Sequence, residues 1–289
     1  MQMEDVLTVK QVDDWIRKEL SELYGEGESR HFSLLIFNHL RGYERKDMLM
    51  NSTSELTQVE MVFVSESLTR LLKEEPIQYV LGFTEFYGLV FKTDHRALIP
   101  RPETEELVDW ILQDKPQSLE SVLDVGTGSG CIAISLKKFL PDSFVQAWDI
   151  SQRALNLAME NASLNKVEVD FQLKDVLNSN LKCAHSLDLL VSNPPYVTMH
   201  EKNLMKANVL NFEPHNALFV EDDEPLLFYH AIARLGRENL RKGGWLYFEI
   251  NESLGAEMEK LLGELGYSGV ELKKDLHGRY RMIRAVWNA

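Results

Sequence analysis

Residues 123–130 read LDVGTGSG, and this glycine-rich stretch sets the architecture that we expect for most of the chain. A short apolar run precedes the glycines and a helical pattern follows them, which predicts a turn from a buried strand into a helix. Glycines in such a turn let the backbone bend sharply and approach a ligand closely. The spacing is GxGxG rather than the GxGxxG of dinucleotide-binding folds, because Cys131 stands in place of the third glycine. No Lys-Ser/Thr pair follows, so a P-loop is also excluded.

Outward from this turn, short apolar runs alternate with stretches of helical periodicity. The apolar runs cover residues 122–125, 144–148, 187–191 and 245–250, and the helical stretches cover residues 132–139, 152–161 and 226–239. This alternation predicts an α/β fold in which helices cover both faces of a parallel sheet. Two later strands, 269–273 and 279–287, are separated by a turn-like link, so we expect an antiparallel pair to close the sheet.

The N-terminal part of the chain carries the spacing of amphipathic helices, which predicts a small helical bundle. Thr8 and Ser54 are predicted to cap two of these helices, and residues 29–40 are predicted to form another. Pro76 ends the pattern, and the β-branched and aromatic residues that follow it predict a β-hairpin. We therefore expect a helical domain over residues 1–75, a hairpin linker over 76–98 and an α/β domain over 99–289.

The composition narrows the class of protein. Hydrophobic residues make up 44% of the chain and charged residues 26%, as in an ordinary soluble domain. Two cysteines are too few for a disulfide framework, and the histidines lack metal-ligand spacing, so no metal is expected.

The first residues lack the pattern of a secretory signal and no apolar run reaches the ~20 residues of a membrane span, which indicates the cytoplasm and no membrane partner. A net charge of −14 argues against stable nucleic-acid binding and favours a neutral or basic protein partner, with the chain itself a monomer.

Three acidic residues, one within a predicted strand and two at or beyond strand ends, indicate how a cofactor would be held. If the ligand is S-adenosylmethionine, Asp124 can receive the ammonium group of its methionine moiety. Asp149 can accept both ribose hydroxyls, as acidic residues do at this position in dinucleotide folds. Asp175 can accept from the adenine amino group, and Val176 would border the ring. The predicted cofactor-binding residues are Asp124, Gly126, Thr127, Gly128, Ser129, Gly130, Asp149, Asp175, Val176 and Asn193.

The sequence Asn193-Pro194-Pro195-Tyr196 follows the third of the apolar runs and is the candidate catalytic segment. Its two prolines lack backbone N–H groups, so the segment mainly offers acceptors. The side-chain oxygen of Asn193 and the carbonyl of Pro194 can accept the two N–H groups of a planar NH₂, and the Tyr196 ring can lie against it. We therefore predict Asn193, Pro194 and Tyr196 as catalytic residues and all four as substrate-binding residues. The target is then adenine, cytosine or an amide.

These motifs together resemble the release-factor glutamine N5-methyltransferases, which belong to the class I methyltransferases. The resemblance extends over nearly the whole chain. It is carried by residues 76–79, Gly82, residues 86–88, 98–105, 124–130 and 193–196, by Asp149, and in the terminal hairpin by Lys274, Asp275, Gly278, Arg279 and Arg281. It implies a Rossmann-like, seven-stranded, mostly parallel sheet with an antiparallel C-terminal hairpin and a small N-terminal helical bundle. It also implies that the N-terminal helices contact the protein substrate.

The resemblance further implies the reaction and its partner. The implied reaction moves a methyl group from S-adenosylmethionine to the side-chain amide nitrogen of the glutamine in the Gly-Gly-Gln motif of class I peptide chain release factors, leaving S-adenosylhomocysteine. A glutamine of a ribosomal protein and, less in keeping with the charge, adenine N6 of a nucleic acid stay open as alternative targets. A non-catalytic scaffold that only binds the cofactor would not need Asn193, and Cys131 disfavours an NAD oxidoreductase. Arg101 and Glu103 are expected either to orient a ligand or to pair with each other.

Overall fold

The glycine-rich stretch leads out of a strand inside a seven-stranded sheet. The computed structural model describes residues 7–114, 119–178, 181–183 and 186–289. By its internal contacts the chain divides into two units, one comprising Met1–Gly82 and Ala207–Phe212, the other Phe83–Lys206 and Glu213–Ala289. None of the helices in the described ranges is both long enough and apolar enough to cross a membrane.

The helices and strands follow one another in this order: α1 (Val9–Arg41), α2 (Arg45–Met50), α3 (Gln58–Leu71), α4 (Ile77–Leu81), β1 (Phe83–Phe86), β2 (Leu89–Lys92), α5 (Pro102–Asp114), β3 (Ser121–Val125), α6 (Cys131–Phe139), β4 (Phe144–Asp149), α7 (Gln152–Asn165), β5 (Asp170–Leu173), β6 (Leu187–Ser192), β7 (Val197–Thr198), α8 (Ala207–Phe212), β8 (Phe219–Val220), α9 (Leu227–Asn239), β9 (Leu240–Glu249), α10 (Gly255–Glu264), β10 (Tyr267–Lys274) and β11 (Tyr280–Trp287).

The sheet has the strand order β10-β11-β9-β6-β3-β4-β5. The strands β9, β6, β3, β4 and β5 pair in parallel, whereas β11 is antiparallel to both of its neighbours. Connections through helices are required between parallel neighbours, which is why apolar runs and helical patterns alternate along the sequence. The predicted class I fold, with a mostly parallel sheet and an antiparallel C-terminal hairpin, is confirmed.

Helices cover the sheet on both faces. Side chains of α5, α6 and α7 share one apolar cluster with Val122 and Val191, and those of α9 and α10 share another with Leu123 and Leu190. Successive residues of a strand point to opposite faces, so a strand covered on both sides is expected to be mainly apolar. Every residue of β3 and β6 is buried, including Asp124 and Asp188. The central strands could therefore be predicted as mainly apolar runs rather than as alternating patterns.

Helix α1 begins as the sequence predicts but continues further. Thr8 caps it in a capping box with Gln11. Residues 29–40, which we predicted as a separate helix, lie in the same element beyond a kink at Gly25. Gly25 has φ 76° and ψ 167°, outside the helical region, so the two predicted helices meet at a glycine without an intervening loop.

The predicted cap at Ser54 is wrong, because Thr57 caps α3 instead. The Thr57 side chain accepts from the backbone N–H of Glu60, and Glu60 bonds back to the Thr57 backbone N–H. Ser54 lacks a glutamate three residues later, and its carbonyl accepts from Val9 instead. The reciprocal pair satisfies two backbone N–H groups at once, which favours Thr57 as the start of the helix.

The segment expected to be a hairpin linker over residues 76–98 contains a helix as well as a hairpin. Helix α4 occupies Ile77–Leu81 and ends at Gly82, whose φ is 78°. The hairpin of β1 and β2 then covers Phe83–Lys92. A helix of five residues is too short to show a helical period in the sequence.

The packing of Gly130 leads to a prediction about stability. Gly130 has φ 84°, and a Cβ atom at this position would lie 2.8 Å from Ile134 Cδ1 and 3.1 Å from Ala158 Cβ. We expect Gly130→Ala to lower the free energy of unfolding by about 2–4 kcal/mol in the absence of ligand, because it combines backbone strain with overpacking. Gly126→Ala is the matched control, since Gly126 has φ 73° but no neighbour within 4 Å. Urea unfolding would contradict this account if both variants lost the same stability.

Candidate active site

A cavity of about 280 Å³ opens where β3, β4, β5 and β6 end. Ligands of open α/β sheets usually bind in this place, outside the carboxyl ends of the strands. Three of the predicted residues do not line the cavity, namely Asp124, Gly130 and Tyr196. The other predicted site residues do line it: Gly126, Thr127, Gly128, Ser129, Asp149, Asp175, Val176, Asn193, Pro194 and Pro195.

The glycine loop, residues 126–130, is folded back onto the end of β4. The N–H groups of Gly126 and Thr127 donate to the carbonyl of Trp148 at 2.8 and 3.0 Å. Gly126 and Gly128 have φ of 73° and 55°, in the left-handed region that suits glycine. At Gly126 and Gly128 the loop therefore presents only backbone to the cavity.

Asp149 fixes the glycine loop and still has acceptor capacity. Its Oδ2 accepts from the Gly128 N–H and its Oδ1 from the Ser151 N–H, both at 2.8 Å. Burial raises the pKa of this carboxyl, although these two N–H groups and that of Ile150 oppose the rise. An ionised carboxylate can accept about four hydrogen bonds, so roughly two remain for a ligand in the cavity.

Asp124 lies beneath the glycine loop with no exposed surface. Thr127 donates to its Oδ2 at 2.6 Å, whereas its Oδ1 is buried and makes no hydrogen bond of normal geometry. Burial raises the pKa of Asp124 to about 7, against the opposing effects of the Thr127 hydroxyl and the Ala133 N–H. A buried carboxylate oxygen without a hydrogen-bond partner is rare in proteins.

Asp175 and Val176 form the wall of the cavity that follows β5. The Oδ1 atom of Asp175 accepts from the Leu177 N–H at 2.9 Å, which fixes the carboxylate in a turn. The ammonium group of Lys174, which also lines the cavity, lies 3.7 Å from the centre of the Trp148 ring. No group of His, Cys, Asp and Glu in the described ranges could hold a metal ion.

The NPPY loop, residues 193–196, begins where β6 leaves the sheet. The side-chain NH₂ of Asn193 donates to the Thr104 hydroxyl at 3.2 Å. The Tyr196 hydroxyl donates to Glu249 Oε1 at 3.0 Å, so it points into the protein and away from the cavity wall. Burial, and next the negative charge of Glu249, raise the pKa of Tyr196 far above its usual value.

The comparisons with known proteins agree along the chain. The family models named PrmC N-terminal domain and Methyltransferase small domain match residues 11–82 and 104–218. The release factor glutamine methyltransferase of Bacteroides thetaiotaomicron is 44% identical over 277 residues, which cover 96% of this chain and 99% of that protein. The protein of the same name from Flavobacterium psychrophilum is 44% identical over 269 residues, covering 92% and 94%. This chain belongs to the release factor glutamine methyltransferase family.

Membership of this family confirms the resemblance found in the motifs, and a solved structure agrees on the fold. The 16S rRNA N2 G1207 methyltransferase of Thermus thermophilus, in complex with AdoMet and guanosine, aligns with a TM-score of 0.51 at 17% identity. The alignment covers 71% of this chain and 49% of that one. At this identity the likeness shows the methyltransferase fold and carries nothing about the substrate.

Two residues of this family member's site, Thr104 and Glu249, were not predicted from the sequence. The Thr104 hydroxyl donates to Glu249 Oε2 at 2.6 Å, and the side chain of Glu249 is buried. Burial raises the pKa of Glu249. A signal was present, because an acidic residue inside the apolar run 245–250 needs hydrogen-bond partners when it is buried.

Arg101 pairs with a residue that the sequence did not indicate. Its Nη2 donates to Glu213 Oε1 at 2.5 Å, and the Ile99 N–H donates to Oε2 of the same carboxylate at 3.1 Å. The Glu213 side chain is only 1% exposed, so this pair is much less hydrated than a surface ion pair. Arg101 therefore pairs with Glu213 and not with Glu103, which was the expected alternative. The Arg101–Glu213 pair joins the segment before α5 to the segment that contains Pro214, and both segments line the cavity.

Proposed function

We propose that this chain transfers a methyl group from S-adenosylmethionine to the side-chain amide nitrogen of the glutamine in the Gly-Gly-Gln motif of class I peptide chain release factors. The observation that carries the proposal is the orientation of Asn193 at the cavity wall. Its NH₂ group is turned toward Thr104, so its oxygen is the half of the amide left to accept from a substrate. The adjoining prolines add acceptors but no donors. Family membership supports glutamine as the target.

We propose that the cofactor is held by the glycine loop, Asp124, Asp149, Asp175 and Val176. The unpartnered Oδ1 of Asp124 suits an ammonium group, and the spare acceptor capacity of Asp149 suits a pair of hydroxyls. S-adenosylmethionine supplies an electrophilic methyl group on its sulfonium, and S-adenosylhomocysteine is the product that remains. In this proposal, side-chain carboxylates and the backbone of the glycine loop hold the cofactor, and no metal ion takes part.

The residues of the NPPY loop would act mainly by positioning the amide, which can supply a large part of a rate enhancement. Asn193 Oδ1 and the Pro194 carbonyl would each accept one N–H, which raises the electron density on the amide nitrogen. No general base is needed before transfer, because the excess proton can leave the nitrogen afterwards. For Tyr196 we propose an anchoring role through Glu249, and contact of its ring with the substrate amide stays a prediction.

The surface that contacts the release factor and the cellular location of the protein are proposed from features of the sequence. The helices of the first unit, which match the PrmC N-terminal domain, would contact the release factor. The net charge of −14 would attract a basic surface on that partner and would disfavour stable binding to nucleic acid. We propose that the chain acts as a monomer in the cytoplasm.

The experiment that tests the substrate uses labelled S-adenosylmethionine and four acceptors. These are a class I release factor, the same factor with the glutamine of its Gly-Gly-Gln motif replaced by alanine, a ribosomal-protein substrate, and duplex DNA. We expect label on the intact release factor alone. Label on DNA alone or on the ribosomal protein alone would contradict the proposal, and equal label on both release factors would contradict the assigned glutamine.

A second prediction concerns the cofactor. Asp149→Ala should weaken binding of S-adenosylmethionine about 10–100-fold, because it removes charged acceptors worth about 1.5–3 kcal/mol and frees the Gly128 N–H. Titration calorimetry measures this effect directly. Asp142→Ala is the matched control, since Asp142 is an exposed carboxylate that does not line the cavity. Equal affinity in the two variants would show that Asp149 does not hold the cofactor.

A further inference from the structure

Glu249 connects two parts of the site that lie far apart in the sequence. Strands β6 and β9 pair in parallel with Ser192 opposite Phe248, so Asn193 and Glu249 leave the sheet side by side. Thr104, in the first turn of α5, lies between them, with its hydroxyl 3.2 Å from Asn193 Nδ2 and 2.6 Å from Glu249 Oε2. These three side chains therefore form a continuous chain of hydrogen bonds from the cavity wall to a buried acid.

The direction of these hydrogen bonds is determined at the buried end. The Thr104 hydroxyl donates to Oε2 of Glu249 and the Tyr196 hydroxyl donates to Oε1. Burial raises the pKa of this carboxyl, and the two hydroxyls and the positive charge of Arg281 oppose the rise. Both oxygens of Glu249 thus act as acceptors, so Thr104 uses its single proton as a donor to Glu249. The Thr104 oxygen can then only accept from Asn193, and only the NH₂ half of that amide can donate to it.

Consequently the carbonyl half of Asn193 must face away from Thr104. A free asparagine amide could turn by 180° and would then present its NH₂ group to the NH₂ group of the substrate, which provides no hydrogen bond. We propose that Thr104 and Glu249 are positioning residues for methyl transfer, which hold the Asn193 amide with its oxygen toward the substrate nitrogen. This inference rests on the proposed function, since it requires a substrate that donates N–H groups.

The alternative is that Thr104 and Glu249 only tie α5 to the end of the sheet. Both accounts allow some loss of stability on mutation, so stability cannot separate them. They differ in the kinetics. If Thr104 has a positioning role, its mutation lowers the rate of methyl transfer to the substrate but leaves the cofactor affinity unchanged. The mutation then has no effect on that rate in a protein that already lacks Asn193.

The test is a double-mutant cycle with Thr104→Val and Asn193→Ala, measured by single-turnover transfer from labelled S-adenosylmethionine to a release factor. Valine has the shape of threonine without its hydroxyl, which leaves the Asn193 NH₂ unpaired. We expect Thr104→Val to lower kcat/KM for the release factor about 10–100-fold, because the Asn193 amide loses the acceptor that fixes its NH₂ group away from the substrate. Cofactor affinity should stay within about twofold, and Thr104→Ser, which keeps the hydroxyl, should restore most of the rate.

In the Asn193→Ala background, Thr104→Val should have no further effect on the rate. Multiplicative losses in the double variant would overturn the inference, as would an unchanged rate for Thr104→Val alone. If Thr104→Val does not fold, Thr104→Ala provides the second measurement. It also removes the hydroxyl that accepts from Asn193, so the substrate rate should fall with cofactor affinity retained, and an unchanged rate would contradict the proposal. Failure of the unmodified protein to label the release factor would instead refute the proposed function.

Discussion

Asn193→Ala is expected to lower the turnover number for a release factor about 10²–10³-fold, the range seen when one pre-positioned hydrogen-bonding group is removed from an active site. The variant loses the acceptor that faces the cavity, so one N–H of the substrate amide is left without a partner. It also leaves the Thr104 hydroxyl without its donor. The first effect acts on the nitrogen that receives the methyl group, and so the loss should appear in turnover.

Cofactor affinity should change little in this variant, because the proposed cofactor contacts come mainly from the glycine loop and from the carboxylates of Asp124, Asp149 and Asp175. Titration calorimetry with S-adenosylmethionine and a steady-state assay with the release factor separate the two effects. Asn216→Ala is the matched control, since Asn216 is an exposed amide that lines the same cavity from a different segment. A large loss of cofactor affinity in Asn193→Ala would mean that this amide holds the cofactor rather than the substrate.

The parts of the site that were predicted from the sequence are those carried by contiguous motifs. The glycine loop and the NPPY loop can be recognised because their residue types are rare in this order and each follows an apolar run. Asp149 was found because an acidic residue follows the next strand, and the structure places it at the cavity. In these cases local sequence and strand direction are enough to indicate the position.

Thr104 and Glu249 could not be placed from the sequence because their hydrogen bond joins residues 145 positions apart. It depends on the register of β6 against β9 and on the start of α5 beside them, and no local pattern encodes that arrangement. Arg101 and Glu213 are a similar case, 112 positions apart. The position of Asp124 beneath the glycine loop also could not be predicted, because it depends on the face of the sheet to which the side chain points. The apolar pattern of a strand buried on both faces does not indicate that direction.

Asp124→Asn should have opposite effects on cofactor affinity and on stability. Removing the charge from a buried site that receives an ammonium group costs about 2–5 kcal/mol in binding, so we expect affinity for S-adenosylmethionine to fall roughly 30- to 1000-fold or more. Without the cofactor, the same charge is buried and only partly hydrogen-bonded. Its removal should therefore make the ligand-free protein more stable at pH 8, by an amount on the order of 3 kcal/mol.

The pH dependence identifies the ionisation responsible. The pKa of Asp124 is about 7 in the folded protein, against roughly 3.9 for an aspartate in an unfolded chain. Between these values the folded state holds a proton that the unfolded state has lost, so stability falls as the pH rises. The stability difference between Asp124→Asn and the unmodified protein should accordingly close as the pH falls toward about 4 and widen up to about pH 7–8. Asp149, whose pKa is also raised, is present in both proteins and its contribution largely cancels in the difference.

Urea unfolding of the ligand-free proteins across this pH range measures the stability difference, and calorimetry at pH 8 measures the loss of cofactor affinity. Asp142→Asn makes the same chemical change at an exposed carboxylate and should show neither effect. A stability difference that did not vary with pH would mean that Asp124 is not neutral in the folded protein below pH 7. Retained cofactor affinity would mean that the unpartnered oxygen of Asp124 serves the fold alone. Lower cofactor affinity together with a higher free energy of unfolding would indicate that the Asp124 carboxylate destabilises the fold but is needed to bind the ligand.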